Sequence, residues 1–240
     1  MDAAAAMRTG LEERASWLDR RYRTADAPVL LRALITEAFV DRIAVLSSFG
    51  AESALLLALI AEIDPAVPVI FLDTGKLFLE TLRYVDILTE RLGLLDVRHI
   101  RPEPASLADR DPAGALWRTD PDACCRLRKV EPLRPALAGI EALISGRKRY
   151  HGGLRHFIPR IEAGEGHIKI DPLADWSRDR VVAEFERRGL PHHPLEALGY
   201  ASIGCESCTA PASAADPRAG RWAGRNKTEC GIHLPLVTPA

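Results

Sequence analysis

Between residues 43 and 144 the chain alternates short apolar runs with longer helix-like stretches, and this alternation restricts its fold more than any other feature. Ile43-Ala44-Val45-Leu46 reads as a buried strand, Glu52 to Ile63 as a helix, and Val67 to Leu72 as the next strand. A helix from about Leu77 to Leu92, a strand Val97 to Ile100, a helix from about Cys125 to Leu137 and a strand Ala142 to Ile144 follow. Strands separated by single helices imply right-handed crossovers and a mostly parallel sheet. A weaker strand at His167 to Ile170 makes five, so the pattern predicts an α/β fold with helices on both faces of a five-stranded sheet. Leu11, Ala15, Leu18 and Tyr22 at helical spacing, with a second helix from about Pro28 to Phe39, predict an N-terminal helical cover. Ser177 is placed to cap a helix running to Arg188.

At 240 residues one such domain with appendages is the expected organisation. Residues 1–209 are read as the nucleotide-binding domain, and 210–240 as a tail. From Ala210 to Lys227 large apolar side chains are scarce apart from Trp222, which predicts a mobile, solvent-exposed segment. The longest purely apolar run, Ala54 to Ala61, has eight residues, and residues 1–14 hold no signal-like stretch. The expectation is a cytoplasmic protein without a membrane span. A net charge of −1 argues against nucleic-acid binding through bulk basicity. Basic residues do cluster at Arg126 to Lys129, at Arg147-Lys148-Arg149 with Arg155, and at Arg218, Arg221, Arg225 and Lys227. Clusters like these suit a small polyanion if the fold brings them together.

Two turns carry the binding chemistry. Ser47-Ser48-Phe49-Gly50-Ala51-Glu52-Ser53 joins the first strand to its helix, so backbone N–H groups, a helix N-terminus and hydroxyls can face an anion. No G-K-[ST] closes it, so it is not a Walker A loop. Asp73-Thr74-Gly75-Lys76 ends the second strand at the same edge of the sheet, and two such loops side by side make a nucleotide crevice.

The five cysteines fall into two close pairs and a single residue. Cys124-Cys125 and Cys205-x-x-Cys208 suit a four-thiolate metal site, iron–sulfur or zinc, in a chain whose thiols are expected to be reduced. Cys230, in Lys227-Thr228-Glu229-Cys230-Gly231-Ile232-His233, has basic residues on both sides that favour the reactive thiolate.

Taken together, the Ser47–Ser53 turn, Cys124-Cys125 followed by Arg128-Lys129, Ile203-Gly204-Cys205-x-x-Cys208-Thr209 and Glu229-Cys230-Gly231-Ile232-His233 resemble the bacterial and plant adenylyl-sulfate reductases, relatives of phosphoadenylyl-sulfate reductase. The likeness spans about residues 40 to 235. It implies an adenine-nucleotide α-hydrolase-like (PP-loop) fold, a [4Fe–4S] cluster on Cys124, Cys125, Cys205 and Cys208, one per chain, and Cys230 as the nucleophile. It further implies catalytic support from Lys129, His233, Arg218 and Arg221. Substrate would be bound by Ser47, Ser48, Phe49, Gly50, Glu52, Ser53, Thr74, Gly75, Lys148, Arg149 and Arg155. The implied reaction turns adenylyl sulfate into sulfite and AMP, with thioredoxin or a glutaredoxin-like dithiol as donor, in assimilatory sulfate reduction and cysteine biosynthesis. A homo-oligomer is compatible with it. The paired cysteines point to adenylyl sulfate, and the 3′-phosphorylated substrate or dual use is the alternative. More distant readings are a PP-loop ATP pyrophosphatase and a zinc-bound interaction module. The chain departs from the family pattern at Arg149-Tyr150-His151-Gly152-Gly153-Leu154-Arg155, where a Gln-Ser pair is usual, and at Lys76, Leu79 and Ser207.

Overall fold

The computed structural model describes residues 3–213 and 216–233. Helix α1 (Ala3–Arg21) and α2 (Ala27–Ala33), the latter running on into a π-turn at Leu34–Ala38, precede strand β1 (Ile43–Ser47). Then come α3 (Ser53–Ala61), β2 (Val69–Leu72), α4 (Leu79–Leu92), β3 (Val97–Ile100), α5 (Pro104–Arg110) and α6 (Leu116–Thr119). Helix α7 (Pro121–Cys125) widens into a π-turn at Arg126–Val130 and resumes as α8 (Glu131–Ala136). Strand β4 (Ala142–Ser145), a hairpin of β5 (Ile161–Ala163) and β6 (Ile168–Ile170), and α9 (Arg178–Arg187) complete the regular elements.

The strands form one sheet in the order β3-β2-β1-β4-β6-β5. Every neighbouring pair is parallel except β5 with β6. The sheet therefore has six strands rather than the expected five. The extra one, Ile161-Glu162-Ala163, is too short to show an alternation and gains its identity only by pairing with β6. β1 sits between β2 and β4, so successive connections leave it in opposite directions. Such a switch point opens a crevice beyond the carboxyl ends of the strands.

Period-two side-chain alternation divides the core cleanly. Ile43, Val45, Val69, Phe71, Ala142 and Ile144 face one side, beneath α1 to α4 and α9. Ala44, Leu46, Ile70, Leu72 and Leu143 face the other, where Leu133 of α8 and Ile232 cover them. Residues Ala54 to Ile60 of α3 are all buried, which explains a helix that is apolar all round. Ser177 caps α9 through its hydroxyl, as the sequence implied, accepting from Arg180 N at 3.2 Å. The expected single helix from Cys125 is instead opened by Asp120, whose carboxylate accepts from Ala123 N at 2.8 Å.

The tail meets its expected exposure in part: Pro211, Ser213, Asp216, Ala223, Gly224 and Asn226 are exposed, while other side chains are packed. Trp222 is 4% exposed, Thr209 pairs with Arg221, and Lys227 lies over the Trp222 ring while pairing with Asp122. Charged residues are enclosed here because partners satisfy them, which a count of apolar residues does not reveal. No described helix is long and apolar enough to cross a membrane.

Candidate active site

A solvent-open cleft with about 1200 Å³ of atom-free space lies where β1 and β4 part. Its walls include Ser47, Ser48, Gly50, Glu52 and Ser53 from the turn after β1, Lys148 and Arg155 from the segment after β4, and Lys129 from the π-turn. Arg218, Arg221, Cys230 and His233 close it from the tail side. Residues more than 180 positions apart in sequence thus share one space.

The turn after β1 is shaped by Phe49, which adopts a left-handed φ of 47° with its ring wholly buried edge-on to Phe71. That burial anchors the backbone and leaves Ser48 and Gly50 facing the cleft; Phe49 itself belongs to the core rather than to the substrate wall. Its N–H is held by the Ser47 hydroxyl at 3.2 Å. Gly50 approaches the Ile203 carbonyl so closely that a Cβ would lie 3.2 Å from it.

Three further residues expected at the substrate lie elsewhere. Arg149 opens a 3-10 turn that directs its guanidinium outward, to the Ile158 carbonyl and Asp175. Thr74 and Gly75 face the paired cysteines instead of the cleft. The Thr74 hydroxyl is 3.3 Å from Cys205 Sγ, and Gly75 abuts the Arg128 guanidinium. Arg147, two residues before Arg149, does line the cleft, fixed by Asp171 (2.5 Å) and Glu162 (2.9 Å). His151 and Ser145 also line it and were not singled out from the sequence; a histidine beside the Gly152-Gly153 turn was the available signal.

The electrostatics are strongly positive. Burial lowers Lys129, but the nearby Cys205, Cys230 and Cys125 sulfurs outweigh it and hold the ammonium charged. Arg218 is pushed down to about 10 by burial and by Arg155, with Glu229 opposing. Arg221 stacks on Trp222 at 4.6 Å, and its buried Nε has no hydrogen-bond partner among the described residues. A buried donor left unmet beside a cleft is a ready contact for an anion. His233 is driven well below the usual imidazole range by enclosure and then by Arg147, Arg155, Lys169 and Arg218, so it is neutral at pH 7. Lys227 is engaged with Asp122, and Glu229, directly before Cys230, is gripped by Arg155 at 2.6 and 3.0 Å and by Arg218 at 3.3 Å.

The two cysteine pairs face one another at the side of the cleft. Cys124 and Cys125 end α7, and both are buried. Cys205 is held by a bridge to Leu77 and by Glu206 N donating to the Lys76 carbonyl at 2.8 Å. Burial pushes the Cys125 thiol up to about 12, and the Cys124 thiol is raised by burial and by the Cys205 and Cys208 sulfurs, with Arg128 opposing. Four cysteine sulfurs in two close pairs, with Arg128 and Lys129 close by in sequence, fit the donor set of a thiolate-bound cluster. Among the described residues no group of three or more His, Cys, Asp or Glu is close enough to hold a single metal ion.

Comparison with known proteins agrees with this architecture. The family model described as a phosphoadenosine phosphosulfate reductase domain matches residues 42–211. An adenosine 5'-phosphosulfate reductase from Mesorhizobium japonicum is 47% identical over 226 residues, covering 94% of this chain and 89% of the relative. Adenosine 5'-phosphosulfate reductase 2 from Bacillus subtilis is 41% identical, covering 80% and 84%. A phosphoadenosine 5'-phosphosulfate reductase from Gloeobacter violaceus is 39% identical, covering 86% and 88%. Among solved structures, phosphoadenylyl-sulfate reductase from Candida auris superposes with a TM-score of 0.70 at 25% identity, covering 83% of this chain and 97% of that one. FMN adenylyltransferase from Candida glabrata, at TM-score 0.56 and 15% identity over 87% and 72%, shares the fold, which is of the PP-loop kind. With the family model and the curated relatives spanning both the cleft and the cysteine pairs, the chain belongs to the phosphoadenosine phosphosulfate reductase family.

Proposed function

We propose that this protein reduces adenylyl sulfate to sulfite and AMP. The observation that carries this reading is Cys230 on the wall of the cleft, facing the Ser47–Ser53 turn across Lys129, Arg155, Arg218 and Arg221. The nucleotide lies at the turn, with its phosphate toward the N-terminus of α3 and its sulfate toward Cys230. Cys230 thiolate attacks the sulfate sulfur, the bond from that sulfur to the phosphate oxygen breaks, and AMP leaves with the electron pair. Attack of an anion on an anion needs cations already in place, and Lys129, Arg218 and Arg221 supply them without reorganisation. Neutral His233 offers a hydrogen bond without adding charge.

The Cys230 S-sulfonate is released by a dithiol donor such as thioredoxin. One donor thiolate attacks Cys230 Sγ and sulfite departs; the second donor thiol resolves the mixed disulfide, restoring Cys230 and leaving the donor oxidised. Reaching the donor requires the tail to swing out, a gating motion suited to a segment held by side-chain contacts. Cys124, Cys125, Cys205 and Cys208 would hold one [4Fe–4S] cluster per chain. When bound it supplies an anionic inorganic centre beside Lys129, while both electrons come from thiols. The setting is assimilatory sulfate reduction leading to cysteine, in the cytoplasm. Use of the 3′-phosphorylated substrate has support from the relative in Gloeobacter violaceus named for it.

Incubation with labelled adenylyl sulfate without reductant tests the reading. Intact mass should rise by one sulfonate on Cys230, and Cys230→Ser should give none. An equal adduct in the serine variant would overturn it.

A further inference from the structure

The segment after β4 forms an unbroken polar chain from the α3 entrance to the residue before Cys230. Glu52 accepts from the Tyr150 hydroxyl at 2.5 Å, pairs with Lys148 Nζ at 2.8 Å and meets His151 Nε2 at 3.1 Å. His151 Nδ1 lies 3.4 Å from Arg155 Nη1. The other edge of that guanidinium, Nε and Nη2, grips both oxygens of Glu229.

The direction of each bond follows from charge. Burial works against ionising Glu52, yet Lys148 and His151 hold its carboxylate far below the usual range, so it only accepts. His151 must therefore carry its proton on Nε2, leaving the Nδ1 lone pair toward an arginine that only donates. One tautomer satisfies both neighbours. A second proton, on Nδ1, would face the guanidinium and break that contact.

We propose that His151 is a positioning residue: its neutral Nε2–H tautomer, fixed by Glu52, orients the Arg155 fork onto Glu229 and so seats Cys230 over the cleft. The groups facing the ring are Glu52 from the α3 entrance, Lys148, Tyr150 and Arg155 from its own segment, and Glu229 through Arg155 from the tail. Burial first, then Lys148 and Arg155, keep the imidazole below its ordinary range against the pull of Glu52, which agrees with a neutral ring at pH 7. The catalytic consequence rests on the function proposed above, whereas the seating itself does not.

Seating is read by the rate at which 4,4′-dithiodipyridine modifies Cys230 in the ligand-free protein, with the site assigned by peptide mass. His151→Phe keeps the ring and loses both hydrogen bonds; about a tenfold faster modification is expected, the scale of one hydrogen bond to a charged group. His151→Gln retains an acceptor and a donor and is expected within about threefold of the parent. Because glutamine does not titrate, the parent-to-Gln rate ratio should rise as pH falls from about 7.5 to about 5.5. Equal rates in all three proteins, or a ratio flat with pH, would overturn the proposal; the ratio needs only the Gln variant if the Phe variant does not fold. These rates need no substrate. The expected ordering together with no sulfonate in the parent would refute the adenylyl-sulfate reading and leave the seating role standing.

Discussion

Replacing Asp111 by Asn tests the pair that braces the π-turn directly after the paired cysteines. Arg128 Nη2 donates to Asp111 Oδ2 at 2.7 Å, with side-chain exposures of 7% and 2%, and Arg128 Nη1 donates to the Thr74 carbonyl at 2.8 Å. Asp111 Oδ1 also accepts from Leu116 N at 2.9 Å, a contact the amide oxygen of Asn retains. What changes is the second position: an NH₂ there meets a guanidinium, donor against donor, and strands a buried positive charge. Breaking one partner of a buried pair costs about 3–5 kcal/mol, whereas exchanging both for apolar groups is often neutral. In urea unfolding followed by circular dichroism, Asp111→Asn should lose about 3–5 kcal/mol at an unchanged m value, and adding Arg128→Met should recover part of it. A loss below about 1 kcal/mol, or a double variant no more stable than the single one, would refute the argument.

His193 is 1% exposed, accepts from Leu195 N and contacts the Thr81 hydroxyl at 3.1 Å, and burial pushes it down to about 4. The unfolded chain binds this proton first, so stability should fall as pH drops from about 6.5 to about 4, by on the order of 3 kcal/mol, and His193→Asn should flatten that limb of an unfolding profile. A Cβ on Gly204 would overlap the Arg221 guanidinium, so Gly204→Ala should weaken adenylyl-sulfate binding about tenfold or more with little change in melting temperature; unchanged affinity by calorimetry would count against Arg221 as an anion contact. Cys125→Ser should lose iron, acid-labile sulfide and activity together, and an active, iron-free variant would contradict the cluster assignment.

The parallel core was legible because Ile43–Leu46, Val67–Leu72 and Ala142–Ile144 are short continuous apolar runs separated by helix-length stretches, the pattern of strands buried on both faces. Strand β3 has the bounds expected of it, Val97–Ile100. Helices α5 and α6 were not legible, since Pro104, Asp111, Pro112 and Gly114 interrupt any period. Within the site, Ser48, Gly50, Lys129, Arg155, Arg218, Arg221 and Cys230 converge as their motifs suggested. Phe49 and Arg149 sit in the same motifs but point away, because a left-handed turn residue and the first residue of a 3-10 turn rotate out of the local pattern. Arg147 and His151 act through partners distant in sequence, Asp171 and Glu52, and no local spacing announces such pairs.

Ile232 rests on the smaller core face beside Leu133 and Leu137, two residues from the reactive sulfur. Among the described tail residues Ile232 is the apolar foothold nearest that sulfur, and burying such a side chain is worth about 1.5–3 kcal/mol at most. The rest of the hold is polar: Glu229 lies in the grip of Arg155 and Arg218, and the His233 carbonyl accepts from Lys169 Nζ at 3.0 Å. A tail fastened by several small contacts can be let go one at a time, and the ease of that release should shift with the side chain at position 232.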